Sequence, residues 1–527
     1  MLPNTKKTIR YYGRFVKGSP MTRIEVFHSV SVTLFISILA ASSLPGAERS
    51  DLPNIVIIMA DDMGYGDVRT LNPVSGIPTP NLDALAKQGM TFVDGHSPSA
   101  VCTPTRYALL TGRYCWRSKL KSGVLGGYSP PLLEDGRRTI ADMLQGQGYR
   151  TAAVGKWHLG MEMPRLDGKE GGLTKWDGDP GIDFAGRIVN SPIHHGFDEY
   201  FGVSASLDMA PFVYIRNDRF TMLPTFQQKA VKFPHFVRSG PRAKDFVIAD
   251  VLDRLTKEAV GFIDRSAKQA QPFFLYMPLT GPHKPTQPHE RFRGKTKLNE
   301  YGDFVTQVDW TVGQISAALD RNQVADNTLF VFTSDNGSYM YRFDDPTKKD
   351  HVQDETIQGY RAEHHRANGP FRGTKADIYE AGHHVPLFVR WPGTVAAGSS
   401  CDQAVCLTDL FATCAEVAGA DLADNVAEDS FSLLPFLGGL DGKRGAAVIH
   451  HSINGTFAIR DGSWKLIASS GSGGRERPRG KPFDGSFQLY NLSDDAAEEN
   501  NRAEELPAKA KELAVELRRL IKSGRSR

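Results

Sequence analysis

The run Pro53-Asn54-Ile55-Val56-Ile57-Ile58-Met59-Ala60 constrains the fold of this chain more than any other stretch. It is apolar and β-branched without alternation, and it has the length of a strand. Such continuity suits a strand buried on both faces of a parallel sheet, because a strand with one wet face alternates. Comparable runs recur at residues 149–155, 272–279, 328–334 and 385–391. Helical patterns separate them, at residues 79–89, 137–148, 245–264 and 301–320, the last with Val305, Val308, Val312 and Ile315 on one stripe. Strands alternating with helices predict an α/β fold with a large, mainly parallel or mixed sheet flanked by helices. Residues 79–89 carry a Thr79 cap, Pro80 and a terminal glycine, the marks of a complete short helix.

From about residue 440 the texture changes. Short strand-like pieces at 446–450, 456–460, 464–468 and 487–492 precede a helix with Leu513, Leu517, Leu520 and Ile521 on one side. That order predicts a small α+β subdomain. The expected division is a signal segment at 1–47 with an N-terminal extension, a catalytic domain at 48–440 and the subdomain at 441–527. Residues 161–245 and 339–370, the latter with Lys348, Lys349, His364 and His365, read as surface excursions over a site. The stretch 471–481 reads as a solvated loop.

A net charge of +3 gives no reason to expect nucleic acid as a partner. Five cysteines in 527 residues exclude a disulfide-dense scaffold. With Cys102 set aside for chemistry, Cys115, Cys401, Cys406 and Cys414 remain, and their spacing leaves the pairing open. The apolar run 29–41 is too short to span a bilayer comfortably and is followed by small residues at 42–47, the order of a secretory signal. The basic stretch before it is long, and Met21 would make a more ordinary start. No cysteine follows the apolar core to take a lipid. The expectation is a secreted or periplasmic protein without a stable membrane anchor.

Charged clusters stand where the buried strands end. Asp61-Asp62-Met63-Gly64-Tyr65-Gly66-Asp67 follows the first strand, and two adjacent carboxylates there call for a positive partner. The glycines read as permitting tight turns. Lys156 and His158, His283, and Asp335-Asn336 follow three other strands. Taken singly, each has an ordinary explanation as a cap, a turn or a solvated face. Together they fall where open α/β sheets bind ligands, beyond the carboxyl ends of the strands. Asp61, Asp62, Asp335 and Asn336 offer only oxygens, the set a hard cation prefers, calcium or magnesium, and no zinc pattern accompanies them. Arg106, Lys156, His158, His283 and Lys375 would surround an anion.

One stretch names a chemistry. In Val101-Cys102-Thr103-Pro104-Thr105-Arg106-Tyr107-Ala108-Leu109-Leu110-Thr111-Gly112-Arg113, Thr103 is expected to cap a helix and Pro104 to occupy its first position. That puts Cys102 at a helix N-terminus with Arg106 one turn on, a natural place for an anion.

The C-T-P-T-R string resembles the signature of the type I sulfatases, of the alkaline phosphatase superfamily, and the likeness runs from about residue 53 to 495. It implies that Cys102 is oxidised to formylglycine by a formylglycine-generating or sulfatase-maturating enzyme, and that the aldehyde hydrate is the nucleophile and a metal ligand. D-D-M-G-Y-G-D implies Asp61 and Asp62 as metal ligands, and D-N-G implies Asp335 and Asn336. G-K-W-H-L-G implies Lys156 at the sulfate and His158 as the group that helps release it. P-H-x-P implies His283 as sulfate ligand and acid, R-G-x-K implies Lys375 at the leaving oxygen, and Arg106 would steady the hydrate. The activity implied is hydrolysis of sulfate esters, of a sulfated small molecule or carbohydrate. The length of the two excursions and the basic loop 471–481 as their rim favour a sulfated carbohydrate, with Arg475, Arg477, Arg479 and Lys481 as secondary contacts. The rivals are a phosphodiester or phosphonate monoester hydrolase of the same superfamily, and a non-catalytic polyanion-binding protein.

Overall fold

Ten strands form one mixed sheet: β1 (Asn54–Asp61), β2 (Met90–Phe92), β3 (Arg150–Lys156), β4 (Glu199–Val203), β5 (Ile215–Arg216), β6 (Arg219–Phe220), β7 (Phe273–Pro282), β8 (Thr328–Ser334), β9 (Leu387–Arg390) and β10 (Ser399–Cys401). Their order is β10-β2-β9-β8-β1-β7-β3-β4-β5-β6. The five central strands, β8 to β4, run parallel, and antiparallel pairs flank them on either side. This computed structural model describes residues 51–168, 181–232, 235–340 and 365–527, with Gly13. The chain divides into Met1–Ala47 and Glu48–Arg527. The apolar run 29–41, the start at Met21, and Lys348, Lys349 and His364 lie outside the described residues.

All eight residues of β1 are buried, as its pattern predicts. Ile55, Val56, Ile57, Ile58 and Met59 have no exposed surface, and their side chains together contribute on the order of 10 kcal/mol of apolar transfer energy. Helices α1 (Pro80–Gln88), α2 (Cys102–Thr111), α3 (Ile140–Gly146), α4 (Val251–Ser266) and α5 (Asn299–Arg321) belong to the same body. The stripe read from α5 is buried in full. The start of α1 differs from expectation. Thr79 makes no side-chain cap bond. Instead Asp309 of α5 accepts from Asn81 N at 3.0 Å and Leu82 N at 2.8 Å. A carboxylate 228 residues away caps the helix.

Three other readings are corrected. The helix α2 begins at Cys102 with Val101 as its cap residue, so Thr103 is no cap and Pro104 stands third. Thr103 Oγ1 accepts from Leu125 N instead. The stretch 161–245 is not a surface excursion throughout. It supplies β4, β5 and β6 to the main sheet and buries Phe212, Val213, Tyr214 and Ile215. Two-residue strands are too short to show a period. The loop 471–481 is solvated only at its far end, since Gly471, Ser472, Gly473, Gly474 and Glu476 are buried.

The C-terminal strands β11 (Val448–His451), β12 (Phe457–Asp461), β13 (Trp464–Ile467) and β14 (Gln488–Asn491) form an antiparallel sheet in that order. Helix α6 (Pro507–Ser523) lays Leu513, Leu517 and Leu520 into one cluster with Ile449 and Leu466 of this sheet, and with Tyr114 and Trp116 from the segment after α2. All five cysteines are free thiols. Among the described residues no helix is long and apolar enough to cross a membrane.

Candidate active site

Four parallel strands deliver the site. Asp61 ends β1, Lys156 ends β3, Pro282 ends β7 and Ser334 ends β8. The register sets Asp61 opposite Pro282 and Ala60 opposite Ser334. The residues just beyond these ends, Asp62, His158, His283, Asp335 and Asn336, therefore gather at one edge. Asp62 and His158 hold φ of 67° and 57°, left-handed values that cost a non-glycine residue of order 1 kcal/mol or more.

Helix α2 enters this edge with its first turn. Arg106 donates from Nε and Nη2 to Asp335 Oδ2 at 3.0 and 2.7 Å, and from Nη1 to Lys156 O at 2.8 Å. Lys156 Nζ donates to both oxygens of Asp61, at 3.0 and 2.8 Å. Lys375 Nζ donates to Asp62 Oδ1 and lies 3.9 Å from Cys102 Sγ. Each of the three carboxylates thus has its own cation, the partner that burial demands. Cys102, one oxygen of Asp61 and one nitrogen of His283 lie within 4.8 Å of one another. The ten residues expected as metal ligands or catalytic groups, from Asp61 to Lys375, are all buried.

Burial sets the protonation states. It pushes Asp61 up to about 7 against the pull of Lys156. For Asp335 burial is overcome by Arg106 and Lys156, and its carboxyl sits below the usual range. The Cys102 thiol is raised by burial despite Lys156 and Lys375, so it is a poor thiolate nucleophile as it stands. His158 and His283 are held neutral by burial and by neighbouring cations, Lys156 and Arg106 for the first and Lys375 and Lys156 for the second. His158 Nε2–H donates to Leu125 O at 2.7 Å. That leaves Nδ1 as a buried acceptor without a partner.

The donor set fits a hard cation. Asp61, Asp62 and Asp335 bring oxygens within 4.8 Å of one another. Asp62 Oδ2 and Asn336 Oδ1 are buried and have no hydrogen-bond partner. Asn336 Nδ2 donates to Asp62 Oδ1 at 2.7 Å, which fixes the amide with its oxygen turned elsewhere. Two orphaned oxygens in an all-oxygen cluster are what calcium or magnesium would satisfy.

Sequence reasoning missed Asp208 and Lys284 among the surroundings. Asp208, ion-paired with Arg238, is buried with Oδ1 unpartnered. Lys284 lies 5.8 Å from the ring centres of Phe236 and Tyr339. Arg475 has a buried, unpartnered Nη1, and its backbone N donates to Asp377 Oδ1. Burial depresses Lys284, Arg475 and Lys375 add to that, and Asp208 and Asp62 oppose them. Of the four basic residues named in that loop, Arg477, Arg479 and Lys481 are exposed, and Arg475 alone turns inward. No local pattern marks Asp208.

The chain matches the sulfatase family over residues 53–420. It is 34% identical over 517 residues to an N-acetylgalactosamine-6-O-sulfatase of Bacteroides thetaiotaomicron, covering 91% of this chain and 94% of the relative. It is 30% identical to the steryl-sulfatase of Homo sapiens, over 76% of this chain and 72% of that one. Among solved structures, one from the metabolism of glycosaminoglycans by Bacteroides thetaiotaomicron superposes with a TM-score of 0.76 at 31% identity, covering 89% of this chain and 99% of the other.

Proposed function

The chain belongs to the sulfatase family and hydrolyses sulfate esters, and from that premise we propose how it does so and on what. Cys102, oxidised to formylglycine by a maturating enzyme, is the nucleophile's position. When hydrated, that group would supply a geminal diol, one hydroxyl to take the sulfuryl group as the substrate's alcohol leaves and the other to give up its proton as sulfate is released and the aldehyde returns. The observation that carries this reading is the pair of orphaned oxygens, Asp62 Oδ2 and Asn336 Oδ1, beside a buried cysteine that is a poor nucleophile in its thiol form.

Asp61, Asp62, Asp335 and Asn336 are the ligands of a divalent cation, calcium by preference. That ion supplies Lewis-acid polarisation of an oxygen. Lys156 and Lys375, which neutralise Asp61 and Asp62 in the structure, are the cations that ligation of those carboxylates would turn to a sulfate. Arg106 holds Asp335 and fixes the strand ends through Lys156 O. His158, with Nε2–H committed to Leu125 O, presents Nδ1 as the base that takes the proton when sulfate is expelled. His283 donates Nδ1–H to Lys284 O, so its Nε2, 3.6 Å from Asp62 Oδ2, is an acceptor and becomes an acid only after gaining a proton. Lys375, whose charge Asp62 upholds against burial, would face the leaving oxygen as a fixed cation.

The substrate we infer is a sulfated carbohydrate, with 6-O-sulfated N-acetylgalactosamine the first to try. In support, Asp208 Oδ1 offers an acceptor suited to sugar hydroxyls, and Arg475 Nη1 with Lys284 offers charge for a neighbouring anionic group. The apolar run 29–41 supports export to the periplasm or medium. The test is sulfate release by the matured enzyme from a panel of sulfated saccharides and from an aryl sulfate. Arg475→Ala should raise KM about tenfold for the saccharide and leave the aryl sulfate unchanged. Hydrolysis of the aryl sulfate alone would remove the carbohydrate reading.

A further inference from the structure

A second group of metal-ligating side chains stands apart from the oxygen cluster. His96 follows Gly95 in a short strand, His383 ends the helical turn Glu380–His383, and His450 lies on β11. All three are without exposed surface, and they bring ring nitrogens within 4.8 Å of one another. The outward nitrogen of each ring has an acceptor. His96 Nε2 meets Asp94 Oδ1 at 2.6 Å, His383 Nε2 meets Ile378 O at 3.1 Å, and His450 Nδ1 meets Ser97 O at 3.3 Å.

If those three nitrogens carry the protons, the inward ones carry lone pairs. His96 Nδ1 and His383 Nδ1 then face each other at 3.2 Å, and His450 Nε2 is buried with no partner. Three lone pairs within 4.8 Å of one another repel unless a cation sits among them. One carboxylate and two backbone carbonyls behind three imidazoles is the outer shell that orients histidine ligands. Lys465 also reaches His383 Nε2, at 3.1 Å, but it is ion-paired with Glu380 and Glu498 at 2.9 Å each. Were Lys465 to donate there, His383 Nδ1–H would satisfy His96 and still leave His450 Nε2 alone.

We propose that His96, His383 and His450 form a site for a borderline divalent metal, zinc or a first-row neighbour, held by three imidazole nitrogens. Imidazole suits such ions and not calcium, so the two sites are chemically distinct. Burial keeps all three histidines in the neutral form that binds metal. Ligand distances of about 2.0–2.1 Å require the rings of His383 and His450, stacked at 3.6 Å and 9°, to fan apart. The site pins the C-terminal sheet, through His450, to the body that carries His96 and His383. The next residue, His451, accepts at its carbonyl from Ala100 N and Ser99 Oγ, so the pin also braces the segment leading to Cys102.

The test uses the full chain with its oxygen site saturated by calcium, titrated with Co2+ and then Zn2+. One Co2+ should bind with the ligand-field absorption of a nitrogen-ligated, low-coordinate ion, and Zn2+ should displace it. His450→Gln and His383→Gln should abolish the bands, Asp94→Asn should weaken binding about 10–100-fold, and Asp335→Asn should retain it. X-ray absorption at the zinc edge of the unmutated protein should count three imidazoles, which needs no variant to fold. The proposal is overturned if no Co2+ binds, if binding survives His450→Gln, or if the zinc shell holds oxygen only.

Discussion

Lys156 Nζ lies 2.8 and 3.0 Å from the two carboxylate oxygens of Asp61, with both side chains fully buried. Removing one partner of such a pair strands the other. In Lys156→Met the Asp61 charge loses its nearest cation, and breaking a buried pair costs about 3–5 kcal/mol. Denaturant unfolding in the presence of a chelator should show a loss of that size, and calcium should narrow it by balancing the carboxylate. Turnover should fall by at least about 10²-fold if, as proposed, the same ammonium group holds the developing charge. A variant as stable as the parent would mean that the pair is dispensable.

Cys102 is 2% exposed, and its thiol is pushed up by burial. If the reaction used the thiolate, alkaline pH would activate an unmatured preparation. A formylglycine nucleophile requires the opposite, with unmatured protein and Cys102→Ala both inactive at every pH. The loss against matured enzyme should be at least about 10⁴-fold in kcat, the scale on which deleting a nucleophile acts. Thermal unfolding should stay close to the parent, because a small side chain is being trimmed. Mass analysis of the peptide spanning residue 102 distinguishes the two preparations.

Lys284 is brought down to about 8 by burial and by the charges of Arg475 and Lys375. Its ammonium form therefore predominates at neutral pH and is lost as pH rises through about 8. For an anionic saccharide, KM should climb across that window, by up to about tenfold. Lys284→Arg keeps its charge throughout and should flatten the climb, whereas Lys284→Met should show the high KM already at neutral pH. Measuring KM against pH for the three proteins decides it. Identical profiles would place Lys284 outside the substrate's reach.

The parts of this site that could be read from the sequence are those fixed by local grammar. A buried parallel strand must end, and the residues just past its carboxyl end meet the ligand, so Asp61, His283 and Asp335 announced themselves. The rest depends on long-range closure. Asp309 caps α1 across 228 residues, and nothing near Asn81 or Leu82 foretells it. Asp377 draws Arg475 inward by accepting from Arg475 N and Glu476 N, while Arg372 pairs with Glu476. By composition that loop looks solvated. Likewise β5 and β6 have two residues each, too few for any periodicity to register.

Gly64 shows how closely the segment that follows β1 is held. Its φ is −81°, open to any residue, so the glycine is not there to make a left-handed turn. A Cβ at this position would stand 2.0 Å from Ala367 O and 2.8 Å from Asn368 Oδ1. Nearby, Gly66 N donates to Ala367 O at 2.8 Å, and Asp67 accepts from Gly64 N, Tyr301 OH and His365. The segment 64–67 and the segment 365–369 are therefore fastened by a backbone hydrogen bond and by the Asp67–His365 pair, and the atom nearest an added Cβ is a backbone oxygen that cannot swing aside. Gly64→Ala must push the two apart and should destabilise by about 1–3 kcal/mol or more, the cost of overpacking a closed site. The shift would also move Asp62, two residues back, and with it the Lys375 contact. Calcium affinity should drop together with turnover in this variant, read by calorimetry and by sulfate release. A loss of stability with calcium affinity intact would show that the fastening serves the fold alone.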